Sequence, residues 1–348
     1  MMRFEKRSFG LLSHCYAVMS MKVDGRDCYF YSPDDKGPCL VFDANGAPLP
    51  PVWDLPGGTM SMIPLPGQSN AFLASQNFFP GFQARECRIV KALWQNGTWS
   101  VQPWLSLPYV HRFDIIESAG RYWLLACILS GTDRPCADFE NPGNLTVIEL
   151  DPDLNPASAP RIIAGNMHRN HGYWRGCYED QEWILTACDE GIFRVEPPKT
   201  GDSWKVTCLQ SSPASDVALC DLDGDGQPEL VTIAPFHGEH LNVYHLENGE
   251  FCLASEIPHH SSFLHGIWAG TVAGETAALI GGRAGMQETL LVQWKDGAYC
   301  CRTIEQQHGA SNFFQLGDQM LVANREVGEC ALWSVRPDSP AEGQVDMP

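Results

Sequence analysis

His171-Gly-Tyr-Trp-Arg-Gly-Cys-Tyr-Glu-Asp-Gln-Glu-Trp183-Ile-Leu-Thr-Ala187 holds the pattern that organises this chain: a His-Gly step, an apolar strand, a polar hairpin and a second apolar strand. The same order recurs from His265-Gly-Ile-Trp to Ala277-Ala-Leu-Ile-Gly, and from His308-Gly-Ala-Ser to Gln319-Met-Leu-Val-Ala. His111-Arg-Phe-Asp leads in the same way to Tyr122-Trp-Leu-Leu-Ala, and Pro213-Ala-Ser-Asp to Glu229-Leu-Val-Thr-Ile. Weaker copies begin near Thr59, ending in Ala71-Phe-Leu-Ala-Ser, and near His14, ending in Cys28-Tyr-Phe-Tyr. Seven units spaced by roughly 40 to 60 residues, each long enough for about four strands, have the period of propeller blades.

The expected fold is therefore all-β: a single seven-bladed β-propeller over residues 1–340, followed by a polar tail over 341–348. The last unit runs out after Ala331-Leu-Trp-Ser-Val, one strand short. The segment Arg3–Phe9 precedes the first unit and is expected to supply that strand, closing the ring without an open edge. The stretches Pro48–Pro56 and Asp151–Pro160 read as loops between strands rather than linkers.

The 348 residues carry 23 Lys+Arg against 42 Asp+Glu, a net charge of −19. With no basic cluster, that balance argues against nucleic acid and anionic membrane surfaces as partners. No apolar run approaches the roughly 18 residues a membrane span needs. The first residues lack the apolar core of a signal peptide, so the expected location is the cytoplasm. There the 14 cysteines would be thiols. None stands in a C-x-x-C pair, and Cys28, Cys127, Cys220 and Cys252 fall in apolar runs, where a thiol packs as a small hydrophobe.

The hairpin of the fifth unit reads Asp221-Leu-Asp-Gly-Asp-Gly-Gln-Pro-Glu229. It resembles the FG-GAP/VCBS repeat, whose D-x-D-x-D-G loop followed by an acid holds calcium. The resemblance implies Asp221, Asp223, Asp225 and Glu229 as side-chain ligands, with Gln227 offering a carbonyl. A metal-free turn held by Asp and Gly is the alternative.

In a propeller, the starts of the first strands and the loops leaving the second strands ring one central pocket. That frame collects His111, His171, His265 and His308 from the repeat starts, and His237 and His240 from the loop Phe236-His-Gly-Glu-His240. Arg283 and Arg325 come from the corresponding loops of the sixth and seventh units. His171, His237, His265 and His308 are the expected ligands of a divalent transition metal, with Zn, Mn, Fe and Ni all suited to imidazole. His111 or His240 would act as a base, while Arg283 and Arg325 would stabilise an enediolate. Tyr173 is a further candidate for the pocket wall, whereas Trp174 and Trp268 are expected to pack in the core. The other explanation of the repeated His-Gly step is a turn element bonded to a neighbouring blade. Asp133, Asp138 and Glu140 fall in a long insertion of the third unit, read as a lid. No G-x-S-x-G elbow, P-loop or dinucleotide fingerprint is present.

The propeller frame with His-bearing loops resembles two groups of enzymes: the dehydratase domain of aldos-2-ulose (anhydrofructose) dehydratase, and the propeller polysaccharide lyases. That resemblance implies a metal-dependent carbon–oxygen lyase. A cytoplasmic setting favours a small sugar, keto-sugar or glycoside over a polymer as its substrate. Two alternatives stay open: a non-catalytic propeller binding carbohydrate or protein, and a metal-dependent sugar hydrolase or isomerase.

Overall fold

Each second strand in the repeat pattern is apolar at almost every position, as suits a strand covered on both faces. The computed structural model, which describes residues 2–79, 84–132, 139–178 and 180–337, places these strands between neighbouring blades. Ala71–Gln76 is buried along its whole length. The outer strand Arg161–Met167 is exposed or half-buried at every position but the last.

The described strands form seven four-stranded antiparallel sheets. Their first strands are Cys15–Val23, Met62–Pro64, Val110–Ser118, Gly172–Tyr178, Asp216–Cys220, Ser261–Val272 and Ala310–Leu316, for blades 1 to 7 in order. In blades 1 to 6 the four strands follow chain order. In blade 7 the N-terminal strand Met2–Leu11 pairs with Glu329–Pro337 as the fourth strand, which is the closure expected from the sequence. Among the described residues the one helical element is a 3-10 turn, Ala84–Glu86. The expected tail, 341–348, and the insertion residues Asp133 and Asp138 lie outside the described residues.

Apolar clusters fill the spaces between blades all the way round, including blade 7 against blade 1, where Tyr31, Phe42, Leu321 and Leu332 pack together. Tyr31 also donates a 2.7 Å hydrogen bond from blade 1 to the Ala331 carbonyl of blade 7. Trp174 and Trp268 pack into blade interfaces, as expected. The closing strand is further pinned by Lys6, whose ammonium lies 2.5 Å from Glu305 and 3.0 Å from Glu329.

One expected loop is a strand. Pro48–Trp53 forms the outer edge of blade 1, where no further strand requires the missing proline N–H groups.

Near the axis, the first strands of successive blades touch, and this explains the His-Gly step. A Cβ on Gly172 would stand 2.9 Å from the Ser215 carbonyl oxygen, and one on Gly266 would stand 2.7 Å from that of Ser311. Both contacts are with backbone, which cannot swing aside. Gly266→Ala should therefore cost about 1–3 kcal/mol, read as a lower urea midpoint with an unchanged slope. Gly274→Ala is no test of this effect, because its own φ of 76° strains any side chain.

Candidate metal centre

Four of the seven first strands carry an irregular point in the backbone near the axis. In blades 1, 3, 6 and 7 the register skips one residue there, at Tyr16, His111, His265 and Ser311. A bulge of this kind re-aims its side chain. His171 and Ser215 hold the corresponding places just before their strands in blades 4 and 5.

These residues are wired to the next blade. His111 Nδ1 donates to the His171 carbonyl at 3.2 Å, His171 Nδ1 to that of Ser215 at 3.0 Å, and His265 Nδ1 to that of Ser311 at 3.1 Å. A carbonyl only accepts, so Nδ1 carries the proton in all three neutral rings, and each Nε2 is left with a lone pair. Such outer bonds are how proteins orient imidazoles toward a metal.

His237 completes the group from the loop after the second strand of blade 5. Its Nε2 lies 3.4 Å from that of His171. The ring centroids of His171, His237 and His265 form a near-equilateral triangle with sides of 4.9, 5.0 and 5.1 Å. One nitrogen from each of the three lies within 4.8 Å of the others, close enough to hold one metal ion. His111 stacks beside His171 at 4.1 Å, adjoining the triad. The Tyr16 hydroxyl spans the gap, 3.1 Å from His265 Nε2 and 3.4 Å from His111 Nε2. It carries one proton and can satisfy one of the two lone pairs.

Electrostatics keep the rings neutral. Burial holds His171 at about 3, helped by the Arg112 cation. Burial also depresses His111, His237 and His265 well below the usual histidine value, with His171 or Arg283 adding to the effect. Neutral imidazoles are the form a metal binds. Burial pushes the Tyr16 phenol up to about 12, so it stays protonated. Beneath the site, Arg112 bridges the Met60 carbonyl and Asn312, and burial raises the Asp216 carboxyl to about 7.

The triad faces a cavity of about 160 Å³, lined by Phe78, Phe139, Phe236, Phe263 and Met60, with Asp34, Arg283 and Arg325 among its polar groups. Both expected arginines are thus present, and both are already paired. Arg283 Nε bonds Glu326 at 2.8 Å, and Arg325 Nε bonds Asp34 at 2.5 Å.

Not every expected residue arrives. His308 lies three residues ahead of the true equivalent, Ser311. Its Nε2 accepts from Lys6 at 2.9 Å, and its ring belongs to the closing-strand cluster with Glu305 and Glu329. His240 is exposed and pairs with Glu256 at 2.7 Å. Tyr173 is turned into the interface of blades 3 and 4, donating to Asp114 at 2.9 Å. Tyr16 and Asp34 were missed. Tyr16 comes two residues after His14 because the loop entering blade 1 is offset. Asp34 occupies the same class of loop as His237, Arg283 and Arg325, and that equivalence was the available signal.

The hairpin of blade 5 is the second cluster. Asp221 accepts the N–H groups of Gly224 and Gly226 at 2.8 and 3.1 Å, so it braces the turn. Asp223, Asp225 and Glu229 instead converge with His245, one ligand atom from each lying within 4.8 Å of the others. The donor set fits a cation: Glu229 is fully buried, and its Oε1 has no hydrogen-bond partner. Residues 214–246 match the family model for the FG-GAP repeat. The FG-GAP repeat spans the first three strands of blade 5, with the acidic hairpin between the first and second.

No curated protein matches the chain. Solved propellers resemble it over nearly its whole length. Virginiamycin B lyase from Staphylococcus aureus is 10% identical, with 97% of this chain and 100% of that one covered and a TM-score of 0.60. The β-propeller domain of Myceliophteria thermophila Cps50 (Swd1) is 10% identical, covering 96% and 99%, with a TM-score of 0.59. BBS1N, solved in complex with ARL6DN, is 9% identical over 95% and 94%, with a TM-score of 0.56. At such identities the likeness is one of fold.

The depressed histidines make the metal-free protein acid-sensitive. An unfolded histidine takes a proton near 6.5, whereas the folded axial rings resist it, so stability is complete above 6.5 and falls as pH drops below it. Asp216 and Glu229, raised to about 7, oppose this trend, two groups against four. In EDTA, His171→Gln should flatten the loss of stability between pH 6.5 and 4 by about 1.4 kcal/mol per pH unit, measured by urea unfolding across that range.

Proposed function

We propose that His171, His237 and His265 hold one divalent transition metal, Zn, Mn, Fe or Ni, and that the protein is a carbon–oxygen lyase acting on a small sugar, keto-sugar or glycoside. The observation that carries this reading is the convergence of three neutral imidazoles on one cavity, with a fourth, His111, beside them. Bound there, a divalent ion would supply Lewis acidity to a carbonyl and its neighbouring hydroxyl, acidifying the adjacent C–H.

The chain's own groups then divide the work. His111 Nε2 has a lone pair and takes the C–H proton. The C–H pair forms the new double bond as the β C–O bond breaks. The imidazolium formed at His111 returns its proton to the departing oxygen, so a hydroxyl leaves as water and a glycosyl group as an alcohol. The Tyr16 hydroxyl turns its proton away to free the His111 lone pair, and its oxygen, 3.4 Å from His111 Nε2, then accepts from the imidazolium. Arg283 and Arg325, each paired with an acid, would offer N–H dipoles to charge developing on the substrate oxygen.

Size and lining support a small substrate. A cavity of about 160 Å³ is below the roughly 300–1,000 Å³ of drug-sized sites. Its phenylalanines offer apolar faces to the C–H side of a sugar ring. One of the similar folds is a lyase by name, virginiamycin B lyase, which lends the scaffold and no residue correspondence. We also assign the protein to the cytoplasm. The buried Cys15 and Cys330 sulfurs lie 3.8 Å apart, a pair that a reducing compartment keeps as thiols.

Elemental analysis tests the metal. The wild type should carry about one axial transition-metal ion per chain, His265→Ala should lose it while keeping the propeller's circular dichroism, and His308→Ala should keep it. Equal retention in both variants would leave a sugar- or protein-binding propeller as the better account. With keto-sugar substrates, His111→Gln should lower kcat by about 10²–10⁴-fold with metal content unchanged. Unsaturated product is followed by ultraviolet absorbance.

A further inference from the structure

We propose that the FG-GAP hairpin of blade 5 is a second metal site, held by Asp223, Asp225, Glu229 and His245, and that His245 makes it selective for a transition metal over calcium. This site stands apart from the axial triad and does not rest on the lyase reading.

The hairpin's own hydrogen bonds define the site. Asp223 Oδ1 accepts from the Asp225 N–H at 3.0 Å, and Asp225 Oδ1 from the Gln227 N–H at 2.7 Å. Glu229 Oε2 accepts from the Leu222 N–H at 2.6 Å. Each of these three carboxylates spends one oxygen on the backbone and turns the other toward a common point. His245, from the third strand of the blade, His240–Glu247, presents Nε2 at that point. It lies 3.2 Å from Asp225 Oδ2, 3.6 Å from Glu229 Oε1 and 3.7 Å from Asp223 Oδ2.

Two features ask for an ion. Glu229 is 0% exposed, and its inward oxygen, Oε1, lacks a hydrogen-bond partner. Among the described residues, His245 is the one basic side chain in an ion pair with these groups, so three carboxyl groups face one another across a single imidazole. A buried carboxylate in that setting is costly unless a cation joins it.

The donor set then selects the ion. Calcium takes six to eight oxygens and has no use for imidazole. Here Asp221, an oxygen donor in the calcium pattern, is turned into the loop by Gly224 and Gly226. Three carboxylate oxygens and one imidazole nitrogen suit Zn2+ or Mn2+. An ion at this place would clasp three blades, because Tyr178 of blade 4 bonds the Gly226 carbonyl and Tyr299 of blade 6 interacts with Glu229.

The test uses the full chain, stripped with EDTA, carrying His171→Ala and His265→Ala so that the axial triad is silent. ZnCl2, MnCl2 and CaCl2 are titrated in turn, with bound metal and thermal midpoint as readouts. About one equivalent of Zn2+ or Mn2+ should bind and raise the midpoint. Adding His245→Asn should weaken that binding at least tenfold while leaving weak calcium affinity in place. If the axial variant does not fold, His245→Asn in the otherwise native chain should lower bound metal from about two equivalents to one. Calcium stabilising as strongly as Zn2+ and Mn2+, with His245→Asn indifferent, would overturn the proposal. So would the absence of any cation effect, which would leave the His245 imidazolium itself as the counter-charge.

Discussion

Seven first strands converge on one axis, and where blade 4 meets blade 5 and blade 6 meets blade 7 the room between them is only wide enough for backbone. That crowding puts glycine at 172 and 266, where a Cβ would collide with the next blade's carbonyl or strand. It also brings each opening residue within reach of that carbonyl. The bonds from His111, His171 and His265 to the next blade follow from this proximity. Blade packing and imidazole orientation are therefore one constraint, and the lone pairs face the axis because their other nitrogens are committed to holding the ring of blades together. The two explanations of the repeated His-Gly step, a turn element and a ligand, are compatible for this reason.

The surroundings sharpen the chemistry. Phenylalanines line the cavity, and burial keeps four imidazoles uncharged beside two guanidinium groups. Each cavity arginine is balanced by an acid, Glu326 or Asp34, so the mouth offers directed dipoles more than net charge. The closing strand solves a similar problem differently. There Glu305, His308 and Glu329 form a group with metal-like spacing, yet the Lys6 ammonium already stands among them. A covalently supplied cation takes the place of a bound one and fastens the N-terminus to blade 7.

Much of this was legible in the chain itself. Continuous apolar second strands, polar hairpins and a short final unit specified seven blades and the closing strand. His171, His237, His265, Arg283 and Arg325 line one cavity, because repeat position translates directly into angular position about the axis. The errors came where the repeat frame slips. His308-Gly309 copies the dipeptide but stands in the turn before blade 7, three residues ahead of Ser311. His14 likewise precedes Tyr16. His240 and His237 share a loop, yet that loop turns between them, sending one ring to the axis and the other to solvent beside Glu256.

Sequence alone determined the blade count, the closure and the acidic hairpin, because these depend on local hydrophobic patterning and turn chemistry. Tertiary structure decided which side chains share a site. His245 is 16 residues beyond Glu229 and lies outside the acidic loop, but pairing of the second and third strands of blade 5 brings it to the carboxylates. Asp221 belongs to the motif, but two backbone N–H groups turn it away. A motif lists donors along the chain, whereas a site is selected by bulges, strand register and competing hydrogen bonds, and these exist only once the blades have packed.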